Sequence, residues 1–276
     1  MKYLVVISWP AGIGLVVLVA VILTRRPERP AAPRWSAGRV PAAGVGSAAG
    51  LPEPVRLVGI AVVGWIAAFA IMLALGVAWV VHDGPSIDRP IYSFAVHHRI
   101  ADWTVAVTQL TKIADLPESL VVAAVAAVWL ARGWDQRKWV PPVILATTVV
   151  ADHFLTAAIH GVFERAGPPN SPGGGYPSGG CERAILYFGL IGYLRLRQVG
   201  WRRNRGIWVS AVVAALALNE AYTRIYLTLH WFTDAISGLI YGALVLAAVI
   251  LALRVVIGPA TVPASGDAPG GLRFPA

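Results

Sequence analysis

The chain is long and unusually apolar. Its 276 residues are 57% hydrophobic and only 13% charged, whereas soluble domains carry about 25% charged residues. This composition excludes a single water-soluble core and favours a membrane protein. The formal net charge of +9 does not indicate nucleic-acid binding, because the basic residues cluster in short loops and no basic-aromatic motif is present. The single cysteine, Cys181, excludes an intramolecular disulfide and a multi-cysteine metal site.

Seven apolar segments are long enough, or nearly so, to cross a bilayer as helices. They cover residues of about 4–24, 57–81, 117–132, 139–163, 182–198, 207–229 and 232–254. Because open sheet edges cannot lie in lipid, these segments predict an all-α, polytopic membrane helix bundle. Arg25 and Arg26 follow the first segment in place of a small-residue cleavage site, so we expect an uncleaved transmembrane helix there.

The segments divide the chain into four parts. Residues 1–24 form the N-terminal transmembrane helix. Residues 25–56 are rich in Arg, Pro and Ala without apolar periodicity, and they are predicted to be a disordered cytoplasmic linker. Residues 57–255 form a six-helix transmembrane core. Residues 256–276 are rich in Pro and Gly and are predicted to be a disordered C-terminal tail.

The distribution of arginine predicts the orientation of the chain. The linker and the loops at 132–138 and 195–205 are arginine-rich, so the positive-inside rule places them on the cytoplasmic side. The loops at 82–116 and 164–181 then lie outside. Apolar and polar residues mix between Ile91 and Leu110 of the first outer loop, which indicates a helix lying at the membrane interface and not a further span.

Ionisable residues near the end of the 207–229 segment are the strongest candidates for chemistry, because such residues are rare in membrane helices. His230 and Asp234 are four residues apart. If the last helix begins near His230, Asp234 can accept a hydrogen bond from one ring nitrogen and leave the other as a nucleophile. Arg224 can bind a pair of phosphate oxygens. Alternatively, Glu220 and Arg224 form an i,i+4 pair and His230 only marks the interface.

The spacing around these residues resembles the third motif of the type 2 phosphatidic acid phosphatase (PAP2) superfamily, Ser-Arg-x5-His-x3-Asp. Thr223 stands in place of the Ser, and the Arg, His and Asp are present. The second motif, Pro-Ser-Gly-His, corresponds to the segment Pro177-Ser178-Gly179-Gly180, so Gly180 stands where the family has its His. A glycine-rich turn that enters a helix presents backbone N–H groups to an anion.

The first motif of that family, Lys-x6-Arg-Pro, corresponds to the segment from His160 to Pro168. His160 replaces the Lys and Gly167 replaces the Arg. Arg165 lies two residues before Gly167 and can reach the same phosphate or pair with Glu164. The loss of both cations should weaken anion binding, since charge-assisted contacts are the strong ones.

The resemblance implies a two-step phosphoryl transfer without metal or cofactor. His230 would attack phosphorus and form a phosphohistidine, with Asp234 as its orienting residue. The phosphate ligands implied or suggested by position are Arg224, Ser178, Gly179, Gly180, His160, Arg165 and Arg183. The substrate would be a phospholipid or polyprenyl (di)phosphate, bound among membrane lipids on the extracytoplasmic side of a bacterial-type inner membrane.

Three functions remain open at the level of sequence. A lipid phosphatase keeps the nucleophile with an altered acid. A lipid phosphotransferase would suit the departure from the first motif. A catalytically inactive, lipid- or protein-binding member would suit the loss of the second-motif His and of two cations. A metal site of Asp152, His153 and His160 is a further alternative, although polar residues that satisfy each other inside a bundle are commoner.

Overall fold

The structure is a computed structural model that describes residues 53–134, 138–169, 171 and 175–257. The predicted N-terminal transmembrane helix lies outside these residues, as do nearly all of the linker and of the C-terminal tail.

Eight α-helices and no strand form in the described part of the chain. They are α1 (Glu53–Gly76), α2 (Gly84–His97), α3 (Ala101–Leu110), α4 (Leu116–Arg132), α5 (Val140–Phe163), α6 (Gly179–Val199), α7 (Arg203–Tyr226) and α8 (Phe232–Ile257). A π-helical segment, Val77–Asp83, joins α1 to α2, and a 3-10 turn, Thr111–Ala114, joins α3 to α4. The prediction of an all-α membrane bundle is confirmed, and all six core segments are helical.

Four helices are long and apolar enough to cross a membrane by themselves. They are Val62–Val80, Val140–Phe163, Arg203–Tyr226 and Phe232–Arg254. The bent pair of Ala101–Ala114 and Leu116–Arg132, with an angle of 52° at the break, could provide a fifth. Helix α6 does not qualify, although its sequence predicts a span. It carries Glu182, Arg183, Arg195 and Arg197, and it packs against α4, α5, α7 and α8. A helix enclosed by protein tolerates such residues, which a lipid-facing helix does not.

The segment predicted as a single interfacial helix contains two helices, α2 and α3. They are separated by a break around Arg99, whose side chain donates to the Tyr226 carbonyl oxygen at 3.2 Å and to Thr228 Oγ1 at 2.6 Å. The Ile100 N–H donates to the Tyr226 hydroxyl at 2.9 Å. These contacts fasten the break to the end of α7, which explains why the helix does not continue.

Close packing of α6 against α8 fixes the centre of the bundle. A Cβ at Gly238 would overlap the Ser178 carbonyl oxygen, and a Cβ at Gly242 would overlap the backbone of Glu182. The last turns of α4, α6 and α8 carry Arg132, Arg197 and Arg254. The opposite end, where α6 and α8 begin and α5 and α7 end, holds the candidate site.

Candidate functional site

A cavity of about 400 Å³ lies between α5, α6 and α7 at the end of the bundle remote from the basic helix ends. Six of the residues predicted from sequence line it: His160, Gly179, Gly180, Arg183, Arg224 and His230. Asp152, His153 and Thr156 also contribute to its wall. The other three predicted residues, Ser178, Arg165 and Asp234, lie outside the lining. The structure therefore brings together residues that are up to 70 positions apart, counted from His160 to His230.

His230 lies in the turn between α7 and α8. Thr228 adopts a positive φ of 54° there, which reverses the chain, and the Leu229 N–H donates to the Arg224 carbonyl oxygen at 2.9 Å. The His230 side chain is 11% exposed. Burial, with the nearby positive charge of Arg224 and the neighbouring His160, lowers the pKa of His230 to about 3. The ring is therefore neutral and keeps a nitrogen lone pair available.

Asp234 does not hold the imidazole as the sequence predicts. His230 Nδ1 lies 4.0 Å from Asp234 Oδ2, beyond hydrogen-bond distance, and Nδ1 is buried with no partner among the described residues. The carboxylate instead accepts from the Trp231 N–H at 3.3 Å and forms an ion pair with Arg165. The backbone of Gly175 is the other hydrogen-bonding neighbour of the His230 ring.

Arg165 joins two buried carboxylates. Besides Asp234, its guanidinium donates to Asp88 Oδ2 at 2.6 Å and to Thr233 Oγ1 at 2.8 Å. Asp88 Oδ1 also accepts the Thr233 N–H at 2.9 Å, so a residue of α2 caps the first turn of α8. These contacts do not favour the predicted phosphate contact of Arg165, which stays a prediction. The observed arrangement fastens α8 to α2 directly beside His230.

Arg224 lines the cavity and is also paired with two carboxylates. Its Nε donates to Glu220 Oε1 at 2.6 Å, which is the i,i+4 pair weighed as the alternative. Its Nη2 pairs with Asp115 and donates to the Thr111 carbonyl oxygen at 3.3 Å. Nη1 has no hydrogen-bond partner among the residues that the structure describes. Two carboxylates share this one guanidinium, so the positive charge of Arg224 at the cavity is partly offset.

Gly180 lies directly against the ends of two side chains. A Cβ there would lie 2.6 Å from Glu220 Oε1 and 2.8 and 2.9 Å from Arg224 Nη2 and Nε. The space into which a side chain at position 180 would extend is therefore filled by the Glu220–Arg224 pair.

Arg183 is the cavity cation without a carboxylate partner in the described part of the chain. Its Nε donates to the Ala114 carbonyl oxygen at 3.0 Å, and its guanidinium lies beside the first turn of α6, where a Cβ at Gly179 would be 2.9 Å from Nη1. The first intrahelical bond of α6 runs from the Glu182 N–H to the Ser178 carbonyl. The N–H groups of Gly179, Gly180 and Cys181 are therefore not used within the helix.

Ser178 is not among the residues that line the cavity. It is fully buried, and its N–H donates to the Asp234 carbonyl oxygen at 2.9 Å. The predicted hydroxyl contact with phosphate is therefore not favoured, and Ser178 instead connects the start of α6 to α8.

His160 occupies the opposite wall of the cavity near the end of α5. Its Nε2 lies 2.9 Å from the Pro177 carbonyl oxygen. The ring packs on Gly175, where a Cβ would meet Cε1 and Nε2 at 3.2 Å. Because Gly175 also contacts His230, the two imidazoles share this neighbour.

A buried acidic pair below the cavity was not recognised from sequence. Glu182 Oε2 accepts from Thr156 Oγ1 at 2.7 Å, and Asp152 Oδ2 accepts from the Tyr187 hydroxyl at 2.9 Å. The two carboxyls are themselves neighbours. The described residues contain no group of three or more His, Cys, Asp or Glu placed to hold a metal ion, so the alternative site of Asp152, His153 and His160 finds no support.

Comparison with known proteins identifies the region around this cavity. A family model for the PAP2 superfamily matches residues 163–256. The PAP2 resemblance is confirmed. The matched range contains α6, α7 and α8 with Gly180, Arg224 and His230, and it begins just after His160. It supports a lipid phosphatase at the level of the family.

A solved structure agrees with the PAP2-like fold. The chain is similar to a transmembrane PAP2-type phosphatidylglycerolphosphate phosphatase from Bacillus subtilis, with a TM-score of 0.60 and 20% identity over 68% of this chain and 94% of that one. At this identity the likeness concerns the fold. No curated protein matches the chain.

Proposed function

We propose that this protein is a multi-pass PAP2-like lipid phosphatase that uses His230 as its nucleophile. The supporting observation is that a neutral, buried His230 shares one cavity with Arg183 and the start of α6. The substrate class is a phospholipid or polyprenyl (di)phosphate. The arginine-rich helix ends at the far side of the bundle favour a site on the extracytoplasmic side of a bacterial-type inner membrane.

Phosphate binding rests on two groups of donors. Arg183 supplies a guanidinium that forms no direct ion pair with a carboxylate of the described residues. The first turn of α6 supplies N–H groups at Gly179 and Gly180 with the positive end of the helix dipole. Nη1 of Arg224 adds a third donor. This arrangement replaces the cations that the first motif lacks at His160 and Gly167.

Phosphoryl transfer requires a small movement of the His230 ring. Attack also requires the tautomer that carries the single ring proton on Nδ1. In that tautomer, closing the 4.0 Å gap to Asp234 would let Nδ1–H donate to the carboxylate and leave the lone pair on Nε2. Nε2 then attacks phosphorus, the P–N bond forms and the P–O bond to the lipid alcohol breaks. Attack by water on the phosphohistidine releases inorganic phosphate and restores the neutral imidazole. Asp234 is already fixed by Arg165, so it can orient the ring without moving.

The test is release of phosphate by the protein purified in detergent. Phosphatidic acid, phosphatidylglycerolphosphate and undecaprenyl diphosphate are assayed beside His230→Ala. His98→Ala is the matched control, because His98 is exposed and its ring is hydrogen-bonded only to Phe94, in the last turn of α2. We expect turnover that is lost in His230→Ala and kept in His98→Ala. Activity that survives in His230→Ala would refute the nucleophile. A labelled phosphohistidine that transfers to glycerol and not to water would identify a phosphotransferase.

One observation favours a second candidate, a lipid-binding protein without turnover. Arg224 is paired with Glu220 and Asp115, and residue 180 is a glycine with no acid side chain. Binding of phosphatidic acid vesicles by wild type, weakened by Arg183→Gln and accompanied by no phosphate release from any of the three substrates, would establish this function in place of the phosphatase.

A further inference from the structure

We infer that His160 is the proton donor for the leaving group, in place of an acid at position 180. This inference rests on the proposed phosphatase function and adds a second catalytic residue to it. The problem it addresses is chemical. An alkyl phosphate releases an alkoxide, a poor leaving group, so cleavage of the P–O bond needs a proton delivered to that oxygen. Residue 180 is a glycine and has no side chain to supply the proton, and the ends of the Glu220 and Arg224 side chains lie beside it.

The cavity offers few groups that can hold a transferable proton. Arginine does not release its proton in proteins, which excludes Arg183 and Arg224. Asp152 and His153 lie eight and seven residues before His160 in α5, or about 12 and about 10 Å along the axis at 1.5 Å per residue. That distance along α5 separates them from the end of the helix, where the turn that holds His230 lies. His160 is the remaining candidate among the described lining residues.

The contacts of His160 leave one ring nitrogen available. The Pro177 carbonyl can only accept, so the 2.9 Å contact assigns a proton to Nε2. Nδ1 has no hydrogen-bond partner among the described residues and is not among their buried, unpartnered atoms, and the side chain lines the cavity. A fixed Nε2–H···O bond also orients the ring, as a second hydrogen bond does for catalytic histidines. Nδ1 is therefore the nitrogen that exchanges protons with bound substrate.

The position of His160 relative to the nucleophile suits this role. Both imidazoles contact Gly175, and they line the same cavity. The bound phosphate would lie between His230 and the donors of Arg183 and α6, with its ester oxygen free to face His160.

His160 gives up one proton and regains one proton in each turnover. His160 begins with protons on both nitrogens and gives the Nδ1 proton to the ester oxygen as the P–O bond breaks and the P–N bond to His230 forms. The lipid alcohol leaves. His160 Nδ1 then takes a proton from the attacking water as the P–N bond breaks, so that phosphate is released and both histidines return to their initial states.

The experiment compares two substrates that share a phosphoryl group but differ in the need for an acid. Dodecyl phosphate has an alkoxide leaving group, and 4-nitrophenyl phosphate has a stable phenolate one. We expect His160→Gln, whose amide can keep the Pro177 contact, to lower kcat/KM for dodecyl phosphate by about 10²–10⁴-fold and that for 4-nitrophenyl phosphate by less than about tenfold. The ratio kcat/KM reports only the first, acid-dependent step.

Several outcomes would overturn the inference while leaving the proposed function intact. An equal loss for both substrates would make His160 a phosphate ligand, and no loss for either would remove it from the reaction, provided that His230→Ala is inactive in both cases. Wild type without activity on either substrate would overturn both proposals. His98→Gln serves as the control. If His160→Gln does not fold, His160→Asn provides the same comparison. A second measurement is the dependence of the wild-type rate on the pKa of the leaving phenol across a series of aryl phosphates, because protonation of the leaving group by an acid makes that dependence shallow.

Discussion

Substitution of Gly180 by alanine tests the most unusual feature of the cavity. The added Cβ would lie 2.6 Å from Glu220 Oε1 and under 3.0 Å from two nitrogens of Arg224. Ordinary van der Waals contact for such atoms begins near 3.4 Å, so the Glu220 carboxylate must retreat by roughly 0.8 Å or the helix must shift. Glu220 is 1% exposed and its Oε2 already lacks a partner among the described residues, which leaves little freedom for that movement.

The expected cost follows from these contacts. Overpacking of a tight site costs about 1–3 kcal/mol, and complete separation of the buried pair would approach about 3–5 kcal/mol. We therefore expect Gly180→Ala to lower the free energy of unfolding in detergent by about 1–3 kcal/mol and to reduce phosphate release. Gly180→His, which restores the residue type of the family motif, should be less stable still and should not gain activity.

A matched control and a rescue variant make the measurement decisive. Gly59 lies in α1, and no atom lies within 4 Å of the position that a Cβ would take there, so Gly59→Ala should be neutral or stabilising by up to about 1 kcal/mol. Glu220→Ala removes the group that the new Cβ meets, so Gly180→Ala and Glu220→Ala together should cost less than the sum of the single changes by about 0.5–3 kcal/mol. If Gly180→Ala matches Gly59→Ala in thermal unfolding and keeps wild-type activity, the space at position 180 is not filled as described.

Three further predictions concern the residues around His230. Arg165→Met leaves Asp88 and Asp234 without their shared cation, so it should destabilise the fold by about 3–5 kcal/mol, measured by thermal unfolding; an unfolding temperature equal to that of wild type would contradict the role of the pair. Arg183→Gln removes a charge-assisted contact with phosphate worth about 1.5–3 kcal/mol and should raise KM for phosphatidic acid by about 10- to 100-fold. Loss of the hydrogen bond to Ala114 should lower stability by only about 0.5–1.5 kcal/mol, and an unchanged KM would remove Arg183 from phosphate binding. The pKa of His230 is about 3 in the fold and about 6.5 in the unfolded chain, so the unfolded state gains a proton first as pH falls. The free energy of unfolding should therefore decrease between pH 6.5 and 3 by up to about 1.4 kcal/mol per pH unit, with a smaller slope in His230→Gln. Equal slopes in the two proteins would show that burial does not keep this ring neutral.

The class of the protein and the helices of its core could be read from the sequence. Hydropathy depends on the residues within a segment, and lipid requires each spanning segment to satisfy its own backbone, so segment composition predicts helices without knowledge of their partners. The candidate nucleophile could also be predicted from local sequence, because His230 and the residues of its motif lie within one short stretch. The central helix α6 was also found, although its charges place it below the hydropathy of a lipid-facing span.

The partners of the site residues were decided only by tertiary structure. Asp115 reaches Arg224 across 109 positions and Asp88 reaches Arg165 across 77, and no local pattern signals either contact. The sequence showed that a histidine is missing at position 180, whereas the packing of α6 on α7 showed that its space is filled by Glu220 and Arg224. Whether an arginine is free to bind phosphate depends on which carboxylates the folded chain brings beside it. That is a property of helix packing, and it distinguishes Arg183 from Arg224 and Arg165.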